Sequence, residues 1–112
     1  MKLIKAYVRV IMVDEVISAL GKLKAPRLTA IDIRALGREI DPKDFKISME
    51  YGTTYTTMVK LEIVCPDERV EEIVKVIQEK AHTGRKGDGI ITISPVEEVI
   101  RIRTGERGEK AY

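Results

Sequence analysis

The chain has 112 residues, enough for one compact domain and too few for two. Apolar residues make up 44% and charged residues 34%, so a core can form and the composition is not that of a disordered chain. The 20 basic and 18 acidic residues leave a net charge of +2, which argues against a simple electrostatic nucleic-acid binder.

Cys65 is the only cysteine and His82 the only histidine. An internal disulfide and a cysteine metal cluster are excluded, and a histidine zinc site or a Ser-His-Asp triad has little to draw on. No apolar run approaches the roughly 20 residues of a membrane helix. The opening MKLIKAYVRVIM alternates and carries Arg9, unlike a signal peptide, so a cytoplasmic, reducing compartment is expected.

Residues 3–12 read as a strand, with Ile4, Ala6, Val8, Val10 and Met12 on one face and Lys5, Tyr7 and Arg9 on the other. Val13, Val16, Ile17 and Leu20 then follow a helical period. Asp14 and Glu15 in its first turn and Lys22 and Lys24 in its last suit the helix dipole, and Pro26 ends it. Ala30–Leu36 alternates as a second strand and Val59–Cys65 as a third. Asp67 is the expected N-cap of a second helix, whose stripe is Val70, Ile73, Val74, Ile77 and Ala81. Residues 90–94 form a fourth strand ended by Pro95, and Val99–Arg103 one more short extended piece.

The order β-α-β-β-α-β predicts an α+β, ferredoxin-like double βαβ fold: a four-stranded antiparallel sheet with two helices on one face. Its other face, which includes Tyr7 and Val64, is not wholly polar, and a second subunit is one means of covering it.

Three segments stand out as candidate sites. Residues 37–56 form a connection without convincing periodicity, longer than a hairpin needs, and this favours a partner- or ligand-binding loop. Residues 83–89, TGRKGDG, hold three glycines and two bases, the makings of an anion-binding nest, although such turns are also common helix ends. Arg101 and Arg103, if extended, point to one side and match phosphate oxygens; a solvated tail with local Arg–Glu pairs is the alternative.

The run TGRKGDGIITISPVEEVIRIRTGERGEKA from Thr83 to Ala111 closely resembles the C-terminal third of the P-II nitrogen-regulatory signalling proteins. KLIKAYVR at the start, DEV in the first helix, Leu28-Thr29, Gly37-Arg38 and VCPDE fit as well, so the resemblance spans the chain. It implies a homotrimer that binds ATP, ADP or AMP, with or without magnesium, in clefts between subunits, and that contacts a target protein of nitrogen or carbon metabolism through the 37–56 loop. That target could be a membrane transporter, with no insertion of this chain and no nucleic acid involved.

By position, Thr29, Gly37, Arg38 and Val64 would line the cleft. Gly87, Asp88 and Gly89 would cradle phosphates through their amides. Arg101 and Arg103 would come from the neighbouring chain. No catalytic residue is implied, and the protein is read as a regulator rather than an enzyme.

The departures from the family pattern touch the effector chemistry. Glu39 replaces a glutamine that helps hold magnesium and 2-oxoglutarate; a carboxylate can still ligate magnesium but would repel a dicarboxylate. Met58 and Ile90 replace two lysines that face 2-oxoglutarate and the terminal phosphates. Weak or absent 2-oxoglutarate binding and a shift from ATP toward ADP or AMP are therefore expected. Tyr51 sits where the family carries a nucleotidylated tyrosine and is a candidate modification site. The rival reading is a small ferredoxin-like trimeric enzyme or metal-binding protein with slow nucleotide hydrolysis.

Overall fold

The structure, a computed structural model, describes residues 1–37, 45–50 and 53–112. Strand β1 covers Lys2–Arg9, helix α1 Val13–Lys22 and strand β2 Leu28–Leu36; a short strand β3, Lys46–Ser48, and a long strand β4, Thr53–Cys65, follow. Helix α2 is Val70–Ala81 and strand β5 is Ile91–Pro95. The main strands lie in the order β2-β4-β1-β5, each antiparallel to its neighbour, and β3 pairs with β4. This is the predicted ferredoxin-like arrangement with one strand more than expected.

Alternation along the strands sets the two faces of the sheet. Ile4, Ala6 and Val8 of β1 stand in register with Ile63, Leu61 and Val59 of β4, and all six are buried. Val16 and Leu20 of α1 and Ile73 and Ile77 of α2 close the core over them. Each such aliphatic side chain stabilises the fold by about 2 kcal/mol relative to exposure. Cys65 lies in the same core, where burial pushes its thiol pKa up, so it acts as a small apolar residue. The opposite face carries Leu3, Tyr7 and Val64 among Lys5, Lys60 and Glu62, and among the described residues no helix covers it.

The element ends correct several sequence expectations. The first strand stops at Arg9, and Val10–Met12 turn as a 3-10 helix into α1 instead of extending it to residue 12. Pro26 is not what closes α1. Lys24 takes a left-handed conformation at φ 56°, the Ala25 amide donates to Leu20 O at 3.0 Å and the Lys24 amide to Gly21 O at 3.0 Å, a Schellman closure. Arg69, from just before α2, adds donors to Lys24 O at 2.9 Å and Leu23 O at 2.8 Å.

Asp67 does not cap α2. A 3-10 turn, Asp67–Arg69, precedes the helix, and the Asp67 carboxylate lies 2.9 Å from the Met1 amino group.

The largest revision concerns residues 37–56. β4 begins at Thr53 rather than Val59, and β3 pairs with its outer end, Lys46 opposite Tyr55 and Ile47 opposite Thr54. The described part of the connection is thus a two-stranded ribbon. Thr53–Thr57 are β-formers, but none of Thr54–Thr57 is buried and the run shows no apolar alternation.

Candidate functional site

The glycine-rich segment 83–89 leaves the C-terminus of α2 and crosses the end of β1. Gly84, Gly87 and Gly89 all have positive φ. At Gly89, φ is +106° and an added Cβ would lie 1.7 Å from the Tyr7 carbonyl oxygen, so only glycine fits there. The Tyr7 amide in turn donates to Ile90 O at 2.9 Å, which ties the exit of the loop to β1.

The Asp88 carboxylate holds the loop from within. It accepts hydrogen bonds from the Thr83 amide at 2.8 Å, the Gly84 amide at 3.0 Å and Arg9 Nε at 3.0 Å, and from the Thr83 hydroxyl. Arg9 Nη2 also donates to Lys86 O at 2.5 Å. Burial pushes the Asp88 carboxyl up, but the bonds from Thr83, Arg9 and Gly84 outweigh it and hold the group well below the usual carboxylate range. Only the backbone of Asp88 is therefore left to face a ligand, as its side chain is engaged inside the loop. Among the described residues, no acceptor meets the Gly87 or Gly89 amide. Beside these amides lies a pocket of about 490 Å³ whose wall includes Tyr7, Ile33, Ala35, Met58 and Ile90, with Arg85 and Lys86 at the loop.

Thr29 and Val64 lie near the other end of the same sheet face, lining a wider pocket of about 760 Å³ with Leu3 and Glu62. Arg101 and Arg103 line it too, but not as a strand. The Arg101 amide donates to Glu106 O at 2.9 Å and the Gly105 amide to Arg101 O at 2.8 Å, so the segment is a tight turn. Expected extension is thus corrected, and both arginines are found lining one pocket. Arg101 Nε reaches Ala111 O at 3.4 Å, and the nearest Arg–Glu pair is instead Arg107 with Glu98 at 2.6 Å.

Val64 and Met58, one at each pocket, are six residues apart on β4, roughly 20 Å at the rise of a strand. A single chain therefore does not bring the loop and the arginine pair together. Gly37 sits at the end of β2 with φ +96° and lines neither pocket. Arg38, Glu39 and Tyr51 lie outside the described residues. Sequence reasoning missed Arg9. Its partner Asp88 is 79 positions away, and an arginine on the polar side of a strand reads as solvated.

The chain is thus a ferredoxin-like α+β domain with an open sheet face, a glycine-rich loop near one end of it and an arginine pair near the other. The family model "Nitrogen regulatory protein P-II" matches residues 1–106. A nitrogen regulatory protein P-II of Azospirillum brasilense is 40% identical over 111 residues, covering 99% of both chains. One from Pasteurella multocida is 38% identical over 111 residues with the same coverage. A crystal structure of Arabidopsis thaliana PII bound to citrate superposes with a TM-score of 0.78 at 37% identity, covering 98% of this chain and 87% of that one. The chain belongs to the P-II family of nitrogen-regulatory signalling proteins.

Proposed function

We propose that this protein is a trimeric adenine-nucleotide sensor that regulates a partner protein of nitrogen or carbon metabolism in the cytoplasm. Each nucleotide is held between the Gly87–Gly89 amides of one copy, with Gly37 and Arg38, and Thr29, Val64, Arg101 and Arg103 of its neighbour. The observation that carries this reading is the division of the candidate residues between two pockets on one uncovered sheet face. A site divided in this way is completed by a second copy, and the exposed apolar residues of that face gain cover in the same step. Family membership favours this reading over a small trimeric enzyme or a metal-binding protein.

The pocket beside the loop supports the expected change of effector. Met58 is 5% exposed and stands with Ile33, Ala35 and Ile90 where cations would be needed for a second anion. A dicarboxylate set against that apolar wall loses hydration without gaining a partner from it. Glu39, where the family holds magnesium and 2-oxoglutarate, adds repulsion.

Light scattering and titration calorimetry with ATP, ADP and AMP test the reading. A trimer binding one nucleotide per chain is expected, with ADP or AMP at least as tight as ATP and no response to 2-oxoglutarate. Replacing Arg101 and Arg103 by Ala should weaken binding by roughly 30-fold or more, as removal of two charge-assisted contacts does. A monomer, or full affinity in that variant, rejects the shared cleft. Tight 2-oxoglutarate binding with Mg-ATP rejects the change of effector. Mass spectrometry of native protein tests Tyr51 for an added nucleotidyl group.

A further inference from the structure

Among the described residues Arg9 is the one charged side chain in the buried class, 7% exposed at the end of β1. Its position is unusual for a surface strand end, because an arginine there can reach solvent at little cost. Here it is turned under the 83–89 loop. A buried guanidinium is retained only where its donors are met in good geometry. Nε meets the Asp88 carboxylate and Nη2 meets the Lys86 carbonyl, two points on either side of Gly87. Asp88 passes the restraint on to the Thr83 and Gly84 amides at the start of the loop. One side chain from β1 therefore fixes both the entrance and the apex of a segment whose glycines would otherwise leave it many conformations.

We propose that Arg9 is the positioning residue of this loop: through Asp88 and Lys86 it sets the Gly87 and Gly89 amides in the geometry that receives an anion. It does so through Nε and Nη2, the two donors it turns into the loop, and the proposal gives it no contact with the ligand. The proposal rests on the reading of residues 83–89 as a phosphate-binding turn, and it deepens that reading by separating the residues that shape the turn from those that would touch phosphate. An amide nest binds an anion well only when its N–H groups already converge, because the ordering cost otherwise falls on binding.

The test uses Arg9→Met, which keeps the length of the buried stem, and Arg9→Lys, which keeps the charge. Amide hydrogen exchange of the nucleotide-free protein is read at Thr83 and Gly84, with Ile4 and Ile73 as core controls, and ADP affinity is read by calorimetry. Arg9→Met should speed exchange at Thr83 and Gly84 by roughly tenfold or more with the core unchanged, and raise the ADP dissociation constant by a similar factor, as loss of charge-assisted bonds implies. Arg9→Lys should recover part of both.

Unchanged loop exchange in Arg9→Met overturns the proposal, and so does lost ADP affinity with an intact loop, since Arg9 would then act on the ligand directly. If the wild-type protein binds no adenine nucleotide, the phosphate reading fails while faster loop exchange in Arg9→Met still supports the clamp. Should Arg9→Met lose its core protection, Thr83→Val carries the test. It removes one donor to Asp88 from the other side, and about threefold faster exchange at Gly84 is expected from the loss of one hydrogen bond. No change there overturns the proposal.

Discussion

The 83–89 loop and the β3–β4 ribbon are both connections rich in polar residues, yet they are built in opposite ways. The loop is short, and its ends and apex are fixed by Asp88, by Arg9 and by the close approach of Gly89 to Tyr7. The ribbon continues the outer end of β4, where Tyr55 also pairs with Leu36 of β2, and exposes its apolar side chains, Ile47 at 72% and Met49 at 94%. Its described contacts include the β3–β4 ladder, the Leu36–Tyr55 pairing with β2, Arg34 over the Tyr55 ring at 5.2 Å and the exposed Arg34–Glu50 pair at 3.6 Å. On the function proposed above, the difference separates two kinds of specificity. A ligand-shaped turn needs its geometry set before the ligand arrives. A partner-binding ribbon needs exposed apolar side chains and tolerates other shapes.

The sharpest break of this contrast is a pair of glycine substitutions. Gly89→Ala places a methyl group 1.7 Å from the Tyr7 carbonyl, with no flexible side chain to yield. Destabilisation of about 3 kcal/mol or more is expected, enough to lower Tm by about 10 °C or more in a chain of this size. Gly37→Ala, at the start of the long connection, also has a positive φ but nothing within 4 Å of the new methyl. Only backbone strain remains, about 1 kcal/mol. Thermal unfolding of the two variants checks the ordering. Equal shifts would mean that packing at Gly89 relaxes.

The same contrast explains what the sequence disclosed. Strand and helix periods were legible wherever one face meets the core, as in Ile4-Ala6-Val8 or Val70-Ile73-Ile77. The glycine-rich turn was legible as a turn because three glycines at close spacing break regular structure. The ribbon was not, since Thr54–Thr57 are not buried and Thr53–Thr57 leave no apolar alternation to read. Nor was the turn at Arg101–Gly105, whose backbone bonds close locally under an alternating Arg-Ile-Arg pattern. The Arg9–Asp88 clamp joins residues 79 positions apart and could not follow from any local pattern.

A second test works on charge. Asp88 has its folded pKa lowered, while an unfolded aspartate titrates near 3.9. Its contribution is therefore fully present above about pH 4 and is lost as pH falls below that toward the folded value. Comparison with Asp88→Asn isolates it. The stability difference between the two proteins should be flat from about pH 7 to 5 and should shrink below about pH 4. Urea midpoints at several pH values read this directly. A difference that shrinks already between about pH 7 and 5 would mean that the carboxylate is not held by the bonds described.

The smallest effect on stability, and the one that completes the contrast, belongs to the ribbon tip. Ile47→Ser with Met49→Ser removes two exposed apolar side chains that fill no part of the core. Exposed substitutions of this kind stay within about 0.5 kcal/mol, so thermal unfolding should be almost unchanged. Nucleotide affinity should be unchanged too, since neither residue lines the pockets near the loop or the arginine pair. What should fall is capture of the target protein. A target seated on Ile47 and Met49 draws much of its affinity from burying them, at about 25 cal/mol per Å² of apolar surface. Co-purification from native extract with wild-type and double-variant bait reads this, with ADP titration as the control. Intact capture by the variant would move the contact off the apolar tip. Lost capture together with lost ADP binding would show that ribbon and loop are not separate devices.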